Sequence, residues 1–463
     1  MKHIYLLITV LSVLLLHGCA SKRYVKKAAE LDTAGLYTDA ADMYYRSLKA
    51  NNKNIDAKLG LQRTGQMVLE DKIKEFKNQY TSGTAKDAVY AFRDAEAYFN
   101  KLKTVGIPVH ISEEQKAYYR EVEDLYLNKV YQDAMKALNL EEFSSAEQLF
   151  SEILTIHASY KDSKTHWTTA KYEPIYRQAN EYQANNLFRK AYSDYETILK
   201  GTGGYKNSLE LKAEALEKAM ITIALVPVSY SNATQKQVSM QLKPIIVSHI
   251  NNLKSPFYKV ISDQVVSSMS NVTINNDPAA AVQWLKKMGA DVQAKTILTG
   301  KIVRYTKQTG RISKSEKKAY RKRVIKVTDK ETNLPVEKTV YDKIRYFEYQ
   351  QNNTVQYVME YALVNIENGE IIISDVFSHE ERPTIHYATF DGDYKQLVPG
   401  YWKYMDKDSE SDKVYDDSSS RDKLHQLFNN SKKIKSTGSI EKEMMNKCAT
   451  QIAQQIEAYN PEN

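Results

Sequence analysis

The chain has 463 residues, 42% hydrophobic and 26% charged, with a formal net charge of +8. This is ordinary globular composition, which excludes a disordered or collagen-like chain, and the length suits two or three domains. Past the first residues no apolar run reaches the roughly 20 positions that a membrane-spanning helix needs, and cysteine occurs only as Cys19 and Cys448.

The amino terminus opens with Lys2, an apolar run from Ile4 to Leu16, and then Leu16-His17-Gly18-Cys19. A positive start, a short hydrophobic stretch and a small residue before the cut describe a secretory signal peptide over residues 1–19. With Cys at the cut, the pattern resembles the lipobox of bacterial lipoproteins, although that family usually carries a small residue where His17 stands. The resemblance implies that the leader is removed and that Cys19 becomes a lipidated first residue, a site for palmitate. Cys448 is then alone, and the mature form has no intrachain disulfide. Ala20 follows Cys19. In well-studied lipoproteins Asp at that place favours inner-membrane retention, so the resemblance implies the outer membrane. Lys22-Arg23 stands where surface-exported lipoproteins carry acidic residues, which implies a periplasm-facing protein. For an exported chain the positive charge points to anionic lipid heads or acidic envelope polymers, not to nucleic acid.

The front half repeats itself. Phe143, Ala146, Phe150, Ile153, Leu154, Tyr160, Asp162 and Ser163 return 45 positions later as Phe188, Ala191, Tyr195, Ile198, Leu199, Tyr205, Asn207 and Ser208. An earlier copy lies at Tyr37, Ala40, Tyr44 and Leu48. Spacings of three and four place these side chains on one helix face, and the small residue at each Ala position lets a neighbouring helix come close. Each copy follows another helical stretch (Val25–Leu31, Val130–Leu138, Ile175–Ala184) and a short turn such as Gly35-Leu36 or Asn185-Asn186. Helix, turn, helix at a recurring period predicts an α-solenoid. The piece Ala34-Gly35-Leu36-Tyr37-Thr38-Asp39-Ala40-Ala41 resembles a tetratricopeptide repeat. The likeness covers about residues 24–217, with an irregular middle from Thr81 to Ser112 that holds Gly106 and Pro108. It implies a protein-binding surface; the other reading is a helical spacer.

Near residue 220 the period changes. Ile221–Val228 is a short β-branched run stopped by Pro227 and reads as a buried strand. Gln235–Leu253 reads as a helix, Phe257–Ile261 as a strand, and Asp277-Pro278 opens a helix through Ala281, Trp284, Leu285 and Met288 to Gly289. Ala290–Tyr305 reads as a long strand, and Val355–Asn365 with Glu370–Phe377 as a hairpin around Glu367-Asn368-Gly369. Three pieces resemble the curli-secretion lipoprotein family (CsgG-like) and related lipoprotein activators of peptidoglycan synthases. They are the opening strand Ile223–Val228, the Gly289-Ala290-Asp291 step into a strand ending at Gly300, and Val364-Asn365-Ile366-Glu367-Asn368-Gly369-Glu370-Ile371. The likeness covers roughly residues 220–380 and implies a periplasmic α/β domain.

Between Tyr305 and Thr354 the chain departs from that family, whose secretion pore uses hairpins with an apolar outer face. Residues 311–326 hold eight basic side chains and one acid, Glu316. Val324–Thr328 and Thr339–Tyr349 read as strands around a turn at Asp329–Pro335. Neither face of Tyr341–Tyr349 is free of charge, and charges at the lipid midplane cost about 2–4 kcal/mol each. The expectation is therefore a long, basic, water-exposed hairpin arm. Arg311, Lys314, Lys317, Lys318, Arg321, Lys322 and Arg323 are its candidate contacts for an anionic partner.

No catalytic constellation stands out. Gly201-Thr202-Gly203-Gly204 lacks the Lys-Ser/Thr of a phosphate loop. His379, Glu380, Glu381 and His386 lack the paired histidines of a metalloprotease helix, and there is no Gly-x-Ser-x-Gly elbow. Asp406–Lys423 is polar and Ser-rich and reads as a mobile loop. Ile440, Met444, Cys448, Ile452 and Ile456 mark a terminal helix that should dock on the sheet, with Cys448 as a buried thiol.

The expected architecture is a leader (1–19), an all-α tetratricopeptide-like solenoid (20–217), a mixed-sheet α/β domain with a long hairpin arm (218–400), and a flexible acidic loop with a docking helix (401–463). The expected role is non-enzymatic, without cofactor or metal: an outer-membrane lipoprotein that scaffolds or regulates an envelope complex through protein partners. The alternative is a CsgG-like secretion component that homo-oligomerises through the α/β domain.

Overall fold

The computed structural model describes residues 20–261, 279–280, 282–283, 286, 294–331 and 334–463. Cys19 and the rest of the leader lie outside the described residues, as do Ala281, Trp284, Leu285, Met288 and Gly289 of the helix expected after Pro278. The chain divides into two compact units, Met1–Glu181 with Ser193–Leu209, and Tyr182–Tyr192 with Glu210–Asn463. A helical half precedes a mixed-sheet half.

The helices of the front half are α1 (residues 20–33), α2 (Tyr37–Ala50), α3 (Ile55–Ser82), α4 (Ala85–Lys103), α5 (Glu113–Asn139), α6 (Phe143–Ile156), α7 (Ser163–Ala184), α8 (Phe188–Thr202) and α9 (Ser208–Ala219). Side-chain caps set several starts. Asn54 accepts from the Ala57 amide, Thr84 from the Asp87 amide, and Ser112 with Gln115 forms a reciprocal capping box. The stretch expected to be irregular from Thr81 to Ser112 is mostly α4. Its Ala88, Val89, Phe92 and Ala95 form a buried face that the 45-residue pattern does not describe, and only 104–112, around left-handed Gly106, leaves the helix. Phe92 stacks on Tyr119 at 4.2 Å and meets Phe76 edge-on at 5.0 Å, which ties α3, α4 and α5 into one core.

The repeat is visible at its corners. Tyr131 meets Phe150 edge-on at 6.0 Å and Tyr160 at 6.2 Å, and its hydroxyl donates to Asp162 at 2.5 Å. One period later Tyr176 meets Tyr195 at 6.3 Å and Tyr205 at 5.9 Å, and donates to Asn207 at 2.6 Å. Lys161 and Lys206 have positive φ, 44° and 48°, and each places its ammonium 4.7 Å from the ring of Tyr131 or Tyr176. The next residues in the two copies, Ser163 and Ser208, are fully buried. The sequence period therefore encodes a corner: an aromatic trio, a left-handed lysine closing it, and an acceptor for the tyrosine.

In the second unit β1 (Ile221–Leu225) lies parallel between β2 (Tyr258–Val260) and β3 (Thr296–Thr309). The chain passes Gly310, runs on as β4 (Ser313–Thr328), turns, and returns as one strand of 31 residues, β5 (Pro335–Asn365). β3 pairs with the second half of β5 and β4 with the first. β6 (Ile371–Glu381) lines the other side of the second half and β7 (Thr384–Thr389) the middle. β8 (Leu397–Tyr401) pairs with β4, and β9 (Lys413–Val414) with β8. The path is thus β2-β1-β3-β5-β4-β8-β9, with β6 and β7 attached to β5.

Two helices, α10 (Ala233–Asn251) and α12 (Thr437–Ala458), cover one face of the β1–β3–β5–β6 half. Strand alternation sends Val355, Tyr357, Met359, Tyr361 and Leu363 into that core, where they meet Leu242 and Ile246 of α10 and Ile440, Met444, Cys448, Ile452 and Ile456 of α12. Burying each Ile or Leu contributes about 1.5–3 kcal/mol. Gln356 and Glu360 alternate with these residues on the opposite face, which turns apolar towards the strand's end, where Ala362 and Val364 join Ala224 and Ile297 in a second buried cluster. The segment 406–423, expected as a mobile loop, instead carries β9 and, from Ser418, the helix α11 (Ser418–Asn429), capped by Asp417. Its carboxylates are the reason: Asp412 and Asp416 are engaged by cations of the hairpin.

Candidate functional site

The β4–β5 hairpin carries six of the seven cations singled out in the sequence. Strand alternation divides them: Lys317, Arg321 and Arg323 fall on one face of β4, and Lys314, Lys318 and Lys322 on the other. Arg311 lies just before β4.

On the first face Asp342, directly across from Arg321, is held by two guanidinium groups. Arg323 approaches its two oxygens at 2.5 and 2.8 Å, and Arg321 one of them at 3.0 Å. These charge-assisted bonds, chiefly that from Arg323, hold the Asp342 carboxyl below its ordinary range. Closer to the sheet centre this face turns apolar. Ala319, Tyr346, Ala388 and Leu397 receive Leu424 of α11, and Phe428 packs beside them.

The opposite face is built of cations laid on aromatic rings. Lys314 sits 4.0 Å from the centre of the Phe347 ring. Trp402, 1% exposed, donates its indole N–H to the Ala319 carbonyl at 3.2 Å. Lys318 lies 4.5 Å above the Trp402 ring and donates to its carbonyl at 2.8 Å, while Arg345 approaches at 5.6 Å and pairs with Glu316 at 3.1 Å. Lys343 closes the loop after Trp402: its ammonium donates to the carbonyls of Tyr404 and Lys407 and pairs with Asp412 at 2.7 Å. Lys322 and the Tyr341 hydroxyl both reach Asp416 at 2.6 Å, and Arg421 pairs with it at 3.2 Å. Burial raises the Asp416 carboxyl, but Lys322 and Tyr341 outweigh it, and the net direction is down.

Five of the seven cations are therefore used within the unit, on carboxylates or rings. Arg311 and Lys317 are exposed and make no ion pair or hydrogen bond among the described residues. The partners Asp342, Asp416, Lys343 and Trp402 escaped the sequence reading. One of them had a signal: equal steps back from Thr328 and from Pro335, across the expected turn, reach Arg321 and Asp342. Asp416 and Trp402 had none, because they arrive through tertiary contacts.

The other candidates scatter. His379 stacks on Phe377 and meets Lys447; Glu380 pairs with Arg382, Glu381 with Lys435, and His386 with Glu348. Among the described residues no three His, Cys, Asp or Glu side chains are placed to share a metal ion. Cys448 is buried with its sulfur 3.8 Å from that of Met359, and burial pushes its thiol up to about 12. Gly201–Gly204 falls at the end of α8 and in the turn to α9.

No family model and no curated protein matches the chain. Among solved structures it is similar to the hypothetical protein CT253 from Chlamydia trachomatis, at 12% identity over 50% of this chain and 99% of that one, with a TM-score of 0.17. A likeness of that size carries no functional argument.

Proposed function

We propose that this chain is a lipid-anchored envelope protein, tethered to the outer membrane through Cys19, whose helical repeats bind a protein partner on the periplasmic side. In this reading the front half is a tetratricopeptide-like scaffold, and the sheet unit, with its CsgG-like strand order, presents the hairpin arm. The observation that carries the partner-binding part is a groove of about 560 Å³ in the first unit. Thr84 and Lys86 at the start of α4, Leu125 and Lys129 of α5 and Leu149 of α6 line it. Leu125 is 66% exposed at its edge, an aliphatic side chain the fold leaves uncovered. Its apolar side chains stand beside two lysines and two acids, Asp133 and Glu152, with Lys86 paired to Glu152 at 3.4 Å, a mixed lining that suits an amphipathic segment of another protein.

A photo-crosslinking residue placed at Leu125 tests this in intact cells. A discrete protein adduct, lost when Lys86 and Lys129 are changed to Glu, is the expected result. No adduct at Leu125, with lipid-probe labelling of Cys19 intact, would remove partner binding and leave a spacer.

A further inference from the structure

We infer that the end of the first unit where α1 begins, α2 ends and α3 begins is a foot that seats directly on an anionic phospholipid surface. Three observations converge there. The first is a rigid joint. Ser21 is fully buried; its hydroxyl lies 2.7 Å from that of Ser47, and Asn54 donates to it at 2.9 Å. Asn54 also caps α3 by accepting from the Ala57 amide at 3.1 Å. Ala20, directly after position 19, is already helical, so the described part of α1 starts beside that position. Consecutive Cα atoms are about 3.8 Å apart, so a lipid on Cys19 holds this end of the unit at the bilayer.

The second observation is charge. Lys22, Arg23, Lys26 and Lys27 are all exposed on α1, while Ala28 on its other side is fully buried in the core with Val25 and Leu31 packed nearby. None of the four is in an ion pair among the described residues. Lys53, in the turn at the joint, and Lys58, in the first turns of α3, are exposed too; Asp56 is the acid among them. At about 1.5 Å of rise per residue, Lys27 stands roughly 12 Å from position 19. The cations nearest the joint thus sit within about one Debye length, ~8–10 Å, of the surface.

The third is exposed apolar surface. Ile55, the residue after Asn54, is 70% exposed, and Leu59, one turn on, is 64% exposed. Two aliphatic side chains among cations, beside the joint, match the interfacial zone of a bilayer, which takes apolar groups and attracts basic ones.

The inference rests on the lipid-anchor reading but is tested without the lipid. The mature chain from Ala20, made without its leader, is sedimented with phosphatidylcholine vesicles with and without phosphatidylglycerol. Binding that requires the anionic lipid and weakens with salt is expected. Lys22→Glu/Arg23→Glu/Lys26→Glu should weaken it at least tenfold, since each cation near the surface is worth roughly fivefold. Ile55→Ser/Leu59→Ser should weaken it further, while Arg311→Glu/Lys317→Glu on the hairpin should leave it unchanged. All these side chains are exposed, and circular dichroism checks that each variant folds. No sedimentation with the anionic vesicles, or equal loss from the hairpin pair, overturns the foot. Fatty-acid probe labelling of Cys19 in cells reports on the anchor separately.

Discussion

Asn353 is a small residue with a large structural task. It is 2% exposed and stands where the two halves of β5 meet. Its side-chain oxygen accepts from the Gly310 amide at 3.2 Å, its side-chain nitrogen donates to the Lys435 carbonyl at 2.9 Å, and its amide donates to the Pro383 carbonyl at 3.0 Å. One residue, through its side-chain amide and its backbone N–H, thus joins the β3–β4 junction, the β6–β7 connection and the entry to α12. Gly310 belongs to the same joint, because a Cβ there would lie 1.9 Å from the Asn352 carbonyl oxygen. Asn353→Ala removes the partners of two half-buried backbone groups, the Gly310 amide and the Lys435 carbonyl, which costs about 1 kcal/mol for each bond, read as a lower urea midpoint. Asn353→Asp, at neutral pH, keeps an acceptor for Gly310 but places an anion against the Lys435 carbonyl, and should cost at least as much. Asp342 gives the residue scale a pH dependence. Its folded carboxyl is held low, first by Arg323 and then by Arg321. Its contribution is therefore fully present above the ordinary carboxyl value of about 4 and is lost as pH falls through the lowered folded value. The difference in urea midpoint between the protein and Asp342→Asn should be constant near neutrality and vanish in acid. A difference that persists below that window would show that the guanidinium pair does not depend on the charge of Asp342.

Elements differ in how far the sequence announces them. The terminal helix and the second half of β5 were legible because each has a regular apolar step into the same core: every fourth residue from Ile440 to Ile456 and every second residue from Val355 to Leu363. The first half of β5 was legible as a strand, but its continuity with the second half was not. Gln350, Gln351, Asn352 and Asn353 are poor strand formers by propensity, and they extend only because β7 and Gly310 pair with them. The short strands β8 and β9 and the helix α11 carried no periodic signal strong enough to outweigh their polar, Ser-rich surroundings. They are ordered by Lys343 and Lys322, whose partners Tyr404 and Asp416 lie 61 and 94 positions away, and by Leu424, which packs with Ala319, Tyr346, Ala388 and Leu397. The same reasoning applies to the seven cations. The sequence placed them together on an arm, whereas which of them stay free depends on Asp416 and Trp402, residues outside that window. Helix α4 was missed for a different reason: it breaks the 45-residue period, so a reading tuned to the repeat passed over its buried face.

At the scale of the whole molecule, the scaffold and pore readings differ in where the hairpin sits. A transmembrane barrel needs one apolar face along each strand. Here the first face of the arm carries Arg321, Arg323 and Asp342, and the second carries Lys314, Lys318, Lys322, Lys343 and Arg345. Only one face would meet lipid, and at about 2–4 kcal/mol for each cation near the bilayer midplane either face would cost an amount comparable to the typical 5–15 kcal/mol stability of a folded domain. The tip offers a direct readout. Leu334 is 64% exposed in the turn, and Leu334→Cys introduces a thiol far more reactive than Cys448, which is buried and raised to about 12. An environment-sensitive fluorophore on that tip should emit as in water when the lipidated protein is in vesicles, and soluble iodide should quench it. Native mass of the detergent-extracted protein should then give a monomer or a complex with a different protein. Blue-shifted, iodide-protected emission together with a high-order ring would establish the pore instead, and would require the ion pairs on Asp342 and Asp416 to break as the arm enters lipid. Because those pairs persist only while their carboxylates are charged, the same fluorophore followed into acid would also show whether the arm holds its water-exposed form through its own internal neutralisation or through the strands β7 and β8 beside it.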